Sequence, residues 1–201
     1  GALLVFDEVK TGFRHGLGGY QALCGIRPDL STFGKALANG YPLGAIAGRA
    51  EVMGLFACED PRRRVLIAGT YNGHPLAVSA AIRTIEKLKD PRLGVFEHLD
   101  ARGRQMEEGL ERVFAEAGVT ATLARQGSAF CAYFMDHAPL DWHDLREHHD
   151  FGFDQRYRAA LIDRGIYHFP SPAKQGSIGF AHSAQDIDQT LVITREVLRG
   201  L

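Results

Sequence analysis

Asp7 and Lys35 stand at the ends of two apolar, strand-like runs, Leu3-Leu4-Val5-Phe6-Asp7-Glu8-Val9 and Pro28-Asp29-Leu30-Ser31-Thr32-Phe33-Gly34-Lys35-Ala36. A buried carboxylate and a buried amine, carried by neighbouring strands to one edge of a sheet, make a geometry for ion binding and covalent catalysis. Taken alone, Asp7 reads equally well as a turn or capping aspartate, and Lys35 as a surface lysine with its stem on apolar ground. The small neighbours Gly34 and Ala36 leave room for a bulky group to approach the amine. Further along, Gly69-Thr70-Tyr71-Asn72-Gly73-His74-Pro75 precedes the strongest helical pattern of the chain. Backbone N–H groups, a hydroxyl and the positive end of a helix dipole suit a phosphate there, although a ligand-free cap has the same signature. A carboxylate and an amine at one sheet edge suit pyridoxal phosphate (PLP), which needs one negative partner and one amine.

The elements that would position these residues alternate between strand and helix. Residues 2–7 read as a strand of the kind that parallel sheets cover on both faces. Residues 10–27 are glycine-rich and irregular, 29–34 form a second strand, and Leu43 to Gly48, after the turn signal Asn39-Gly40-Tyr41-Pro42, form a third. Glu51 to Phe56 predicts a short helix, and residues 59–64 a charged loop. His74 to Lys89 is helical, with an apolar stripe at Leu76, Ala77, Ala80, Ala81, Thr84, Ile85 and Leu88. Asn72 or Gly73 is its expected cap, Pro75 lies in its first turn and Asp90-Pro91 ends it. A long helix from about Gly94 to Ala117 turns Val95, Leu99, Met106, Leu110, Val113 and Phe114 inward and stops at Gly118. Strands at Ala129–Met135, Ile166–Phe169 and Ser177–Ala181, with helices at Phe153–Arg164 and Asp186–Leu198, predict a small α+β domain. The expected boundary lies near residues 90–95, giving domains 1–92 and 93–201.

Composition sets the class. The chain has 201 residues, 45% hydrophobic and 23% charged, with Lys+Arg 23 against Asp+Glu 24 and a net charge of −1. That balance points to neither nucleic acid nor an anionic membrane as partner. Cys24, Cys58 and Cys131 are far apart and form no CxxC pair, as in a reduced, cytoplasmic protein. No run approaches the roughly 18 apolar residues of a transmembrane helix, and the opening segment does not read as a signal peptide. The chain opens directly on a buried-looking strand, so it is expected to be the C-terminal part of a longer protein.

The order of the segments Phe6-Asp7-Glu8-Val9-Lys10-Thr11-Gly12-Phe13-Arg14, Pro28-Asp29-Leu30-Ser31-Thr32-Phe33-Gly34-Lys35, Leu43-Gly44-Ala45 and Ala68-Gly69-Thr70 resembles the class III PLP-dependent aminotransferases. The stretches Leu17-Gly18-Gly19-Tyr20-Gln21-Ala22 and Phe180-Ala181-His182-Ser183 are similar to the glutamate-1-semialdehyde 2,1-aminomutase-like members. The resemblance implies an α/β fold of PLP fold type I: a partial mixed large-domain sheet followed by a small C-terminal α+β domain. It implies that Lys35 holds PLP covalently and shuttles a proton between substrate and cofactor. Asp7 would pair with the pyridine nitrogen, Val9 would pack on the ring, and Thr70 would bind phosphate, reaching the cofactor of the neighbouring subunit of a homodimer. The family's other phosphate loop and its ring-stacking aromatic lie in an N-terminal half that these residues do not include.

Substrate choice carries two departures. Lys174, in Pro170-Ser171-Pro172-Ala173-Lys174-Gln175-Gly176, stands where aminomutases carry an acidic residue, and Leu66 and Ile67 stand where they carry polar groups. Both favour an ordinary aminotransferase, acting on an amino donor and a keto acceptor, over the aminomutase. A catalytically inert, dimerising module is the alternative from another class. Gly16-Leu17-Gly18-Gly19 reads as a flexible turn, because it does not open a helix after a strand. His143, His148 and His149, with Asp144 and Asp150, match no standard zinc spacing and read as a solvated face; no metal is expected. Arg62-Arg63-Arg64 reads as a solvated loop, and Trp142 as core.

Overall fold

The computed structural model describes residues 1–201. It divides into two compact units, Gly1–Phe96 and Glu97–Leu201.

The first unit is built on a three-stranded mixed sheet of order β1-β2-β3, with β1 Val5–Asp7, β2 Leu30–Phe33 and β3 Ala45–Gly48. β1 and β2 run parallel with Val5, Phe6 and Asp7 opposite Leu30, Ser31 and Thr32. β3 returns antiparallel to β2. Asp29 ties the start of β1 and β2 to the end of β3: its Oδ2 accepts from Leu4 N–H at 2.8 Å and its Oδ1 from Arg49 at 2.7 Å. The return from β2 to β3 uses a 3-10 turn, Lys35–Ala38, closed by Asn39 in the left-handed region at φ 46. Leu37, Ala38 and Ala81 form the small core of this unit, with Phe13, Phe33, Leu43, Ala45 and Ile85 packed on it.

Four expectations change here. β1 is shorter than residues 2–7, and Leu3, Leu4 and Val5 are 54%, 47% and 52% exposed. Within these 201 residues β1 pairs on one side only, with β2. Residues 10–27 are not wholly irregular, since α1 spans Gly19–Cys24. Helix α3, Pro75–Lys89, is capped by neither Asn72 nor Gly73; its N-cap is His74, which makes no capping side-chain bond. Asn72 instead closes a turn by donating N–H to Gly69 O at 3.0 Å, and its amide folds back over Gly69. The buried stripe of α3 narrows to Ala77 and Ala81, while Leu76 is exposed. The short helix near residue 51 is present as α2, Ala50–Met53.

The second unit packs α4 (Val95–Glu116, whose first residues belong to the other unit), α6 (Phe151–Asp163) and α7 (Ala184–Leu198) with a three-stranded antiparallel sheet. That sheet is β4 Thr122–Gln126, β5 Ala129–Tyr133 and β6 Gly176–Ser177. Val95, Leu99, Met106, Leu110, Val113 and Phe114 are all buried, as their spacing on α4 predicts. α4 and α7 approach so closely at Gly109 that a Cβ there would lie 2.2 Å from Leu191. Phe134 is the hub of an aromatic cluster, with Phe153 at 4.8 Å, Tyr157 at 5.3 Å and Phe114 at 5.6 Å between ring centroids.

Residues 166–169 are not a strand. Ile166 N–H closes the end of α6 on Leu161 O, and Phe169 O accepts from Arg158, so this backbone satisfies its groups outside the sheet. β4 and the helix α5, Trp142–His148, carry no clear periodic signal in the sequence. Trp142, read as core, is 58% exposed, because it opens α5 on its solvent side.

A buried polar cluster holds α6 to the loops around it. Asp154 accepts from Arg158 Nε at 2.6 Å and from Ala173 N–H at 2.6 Å, and its Oδ2 lies 3.2 Å from His149 Nε2. His149 Nδ1 accepts Phe134 N–H at 3.0 Å, which leaves the imidazole proton on Nε2, directed at Asp154. Burial pushes the neighbouring His168 down to about 4, with Arg158 adding to the shift. Removing one partner of such a pair strands the other charge in the core. Asp154→Ala is therefore expected to cost about 3–5 kcal/mol in urea unfolding. Arg164→Ala, which breaks the exposed pair with Glu196, should cost less than about 1 kcal/mol.

Candidate functional site

Parallel pairing puts the carboxyl ends of β1 and β2 side by side, the place where open α/β sheets bind ligands. Asp7 is the last residue of β1 and lies opposite Thr32. Its Oδ1 accepts Val9 N–H at 3.0 Å and the Thr32 hydroxyl at 3.4 Å, so the carboxylate is oriented by both strands' ends. Lys35 opens the 3-10 turn after β2 and has a φ of 43. A lysine in the left-handed region costs on the order of 1 kcal/mol, a form of strain that concentrates at functional positions. Val9 packs against Gly34, where an added Cβ would lie 3.3 Å from Val9 Cγ1. One apolar side chain thus bridges from the aspartate loop to the backbone that carries the lysine.

Asp7 thus ends β1, Lys35 follows the strand paired with it, and Val9 lies against the backbone next to the lysine. Thr70 is exposed, on the turn that precedes α3. Next to that turn is a cavity of about 300 Å³ lined by Tyr41, Pro42, Tyr71, His74, Leu76 and Ala77. The expectation of a buried carboxylate and a buried amine is not met within these residues: Asp7 and Lys35 are both exposed.

The carboxylate that is buried is Glu8, 1% exposed, which sequence reasoning passed over. Successive strand residues face opposite ways, so Glu8 points inward where Asp7 points out. Its carboxylate accepts from the Thr11 hydroxyl, from Tyr20 N–H at 3.0 Å and from Gln21 N–H at 2.8 Å. Burial pushes the Glu8 carboxyl up, but these hydrogen bonds outweigh it and hold the group below its usual range. Gly19 makes the approach possible: its φ is 65, and a Cβ there would lie 2.7 Å from Glu8 Oε1. The glycine run that read as a flexible turn therefore does open a helix, and an internal carboxylate takes the first N–H groups of α1. The legible signal was an acidic residue one step from Asp7, followed by Thr11 and by paired glycines.

Comparison with known proteins adds the family. Residues 1–169 match the family Aminotransferase class-III. A glutamate-1-semialdehyde 2,1-aminomutase of Neisseria meningitidis serogroup A is 39% identical over 201 residues, which are 100% of this chain and 46% of that protein. The solved structure of an omega-transaminase from Sphaerobacter thermophilus is 32% identical with a TM-score of 0.84, covering 98% of this chain and 44% of that one. A transaminase solved with PLP bound is 26% identical with a TM-score of 0.82, covering 99% of this chain and 44% of its own. The chain spans less than half the length of these relatives.

The strain at Lys35 has a measurable consequence. Glycine in a helical turn is ordinarily less stable than alanine by about 0.5–1 kcal/mol. At φ 43 that order should be cancelled or reversed, so Lys35→Gly is expected to unfold at a urea midpoint no lower than Lys35→Ala. A clear deficit for the glycine variant would mean that the backbone there is unstrained.

Proposed function

This chain belongs to the class-III aminotransferases, and from that premise we propose that it is the lysine-bearing portion of a PLP-dependent transaminase. The reaction is transfer of an amino group between an amino acid or amine and a keto compound. The observation that carries the reading is the pair Asp7 and Lys35 at the ends of adjacent parallel strands, with Val9 packed on Gly34 beside the lysine.

The residues present fit the cofactor. A pyridinium needs a carboxylate, an aldehyde needs an amine, and the ring needs an apolar surface. Asp7, Lys35 and Val9 supply these at one sheet edge, and the small Gly34 keeps the approach to the lysine open. When bound, PLP supplies an electron sink for the carbanion left on the substrate. Asp7, oriented by Val9 N–H and the Thr32 hydroxyl, would hold the proton on the ring nitrogen. Lys35 Nζ would hold the cofactor at rest, give up that place to the amino donor, and then move the proton released from the substrate carbon. Thr70 would bind phosphate from the turn before α3, where the helix dipole favours an anion. In a homodimer it would do so for the neighbouring subunit's cofactor.

By the same reading, residues 1–92 are the end of the cofactor-binding large domain and 93–201 the small C-terminal domain. A cytoplasmic setting is supported by the three free cysteines. No helix is long and apolar enough to cross a membrane. The second reading, an aminomutase that moves the amino group within one substrate, is supported by the 39% identical relative of that name. Lys174, Leu66 and Ile67 weigh against it.

Turnover separates the readings. With PLP added, the whole transaminase of which this is the lysine-bearing portion should convert an amino donor and a keto acid, and Lys35→Ala should lose at least roughly 10³-fold in rate. Conversion of glutamate-1-semialdehyde with no acceptor present would instead establish the aminomutase. Lack of both, with Lys35→Ala indistinguishable from the parent, would leave the inert module.

A further inference from the structure

We propose that His137, Asp144 and His148 form a binding site for one divalent transition-metal cation of the zinc type. Asp144 and His148 lie one helical turn apart on α5, and His137 comes from the loop before that helix. The candidate ligand atoms of the three residues all lie within 4.8 Å of one another. His137 Nε2 is 3.1 Å and His148 Nδ1 2.9 Å from the same oxygen, Asp144 Oδ1, and His148 Nδ1 is also 3.0 Å from Asp144 O, a bond that would be given up to the ion. Zinc–nitrogen and zinc–oxygen bonds of about 2.0–2.1 Å in a tetrahedron set neighbouring ligand atoms roughly 3.3 Å apart. Two of the three separations are already close to that edge, so small side-chain rotations would admit the ion.

The surroundings resemble a metal site beyond the ligands themselves. His137 Nδ1 lies 2.6 Å from Asp136 Oδ1, the carboxylate partner that orients a metal-bound imidazole through its second nitrogen. With the Nδ1 proton given to Asp136, a neutral His137 turns the lone pair of Nε2 toward the Asp144 carboxylate. Two electron-rich atoms at that distance need a positive charge between them, supplied by a second proton on the ring or by a cation. Asp144 is held for the role: its Oδ2 accepts Leu140 N–H at 2.9 Å and lies 3.2 Å from His137 Nε2, while Oδ1 is near both imidazoles. The His137 and His148 side chains are 40% and 47% exposed, which leaves the site open to entry and its fourth position open to water.

This set differs from the histidines that the sequence groups in one polar stretch and that read as a solvated face. His149 is turned into the core between Phe134 N–H and Asp154, and His143 is outside the cluster. His137, from before α5, takes their place. With the ion bound, two imidazole nitrogens and one carboxylate would clip the preceding loop to α5.

Titration calorimetry of the full, tag-free, chelator-stripped chain with zinc chloride tests this. Saturable binding of one zinc per chain is expected. His137→Ala and His148→Ala should each weaken it at least ~10-fold, and Asp136→Asn by about 10–100-fold, while His143→Ala leaves it unchanged. Because His137 and His148 are exposed, far-UV circular dichroism of the zinc-free variants should match the parent; Asp136→Asn keeps the shape of the site if either does not. Absence of saturable binding to the parent, or equal affinity in the His137→Ala/His148→Ala double variant, would overturn the proposal.

Discussion

The parallel pairing of β1 with β2 is the constraint on which the candidate site depends. It sets Asp7 opposite Thr32, and the lysine follows as soon as β2 gives way to a turn. A one-residue slip would turn Asp7 inward and Glu8 outward, since strand side chains alternate. Two features oppose that slip. At the start of β1 and β2, Asp29 binds Leu4 and also Arg49, which follows β3. At the end, Glu8 is locked by Thr11 and the first N–H groups of α1. The buried carboxylate thus keeps the exposed one in register.

Charged groups here serve two contrasting ends. Glu8 and Asp154 are buried and saturated with donors, and each ties a loop to a regular element. Such groups are costly to bury and costly to leave unpartnered, so they define one arrangement of the chain around them. Asp7 and Lys35 are exposed, with backbone strain at the lysine. In the proposed function, that is the division expected between carboxylates that hold a fold and groups that must meet a ligand.

Periodicity made the long elements legible. The apolar residues of α4 fall on one face with glycine at the stop, and every inward assignment on that helix holds. The three strands of the first unit and the closing helix α7 were also visible, because their cores and turns lie close in sequence. The misses share a cause, which is satisfaction by partners remote in sequence. α1 is organised by Glu8, the 166–169 backbone by Arg158, and β4 by its pairing with β5. α5 lacks an apolar stripe and is set instead by the Asp141 cap on Asp144 N–H. Of the site, Asp7, Val9 and Lys35 could be read as a motif, whereas the inward role of Glu8 follows from its partners Thr11, Tyr20 and Gln21.

The central claim is that this fold sets Lys35 apart from the other amines of the chain. The direct measurement is borohydride reduction of the protein after incubation with PLP, followed by peptide mass mapping. The account predicts a phosphopyridoxyl group on Lys35, with labelling saturating at one per chain. Label distributed over Lys10, Lys87, Lys89 and Lys174 with Lys35 unmodified would contradict it.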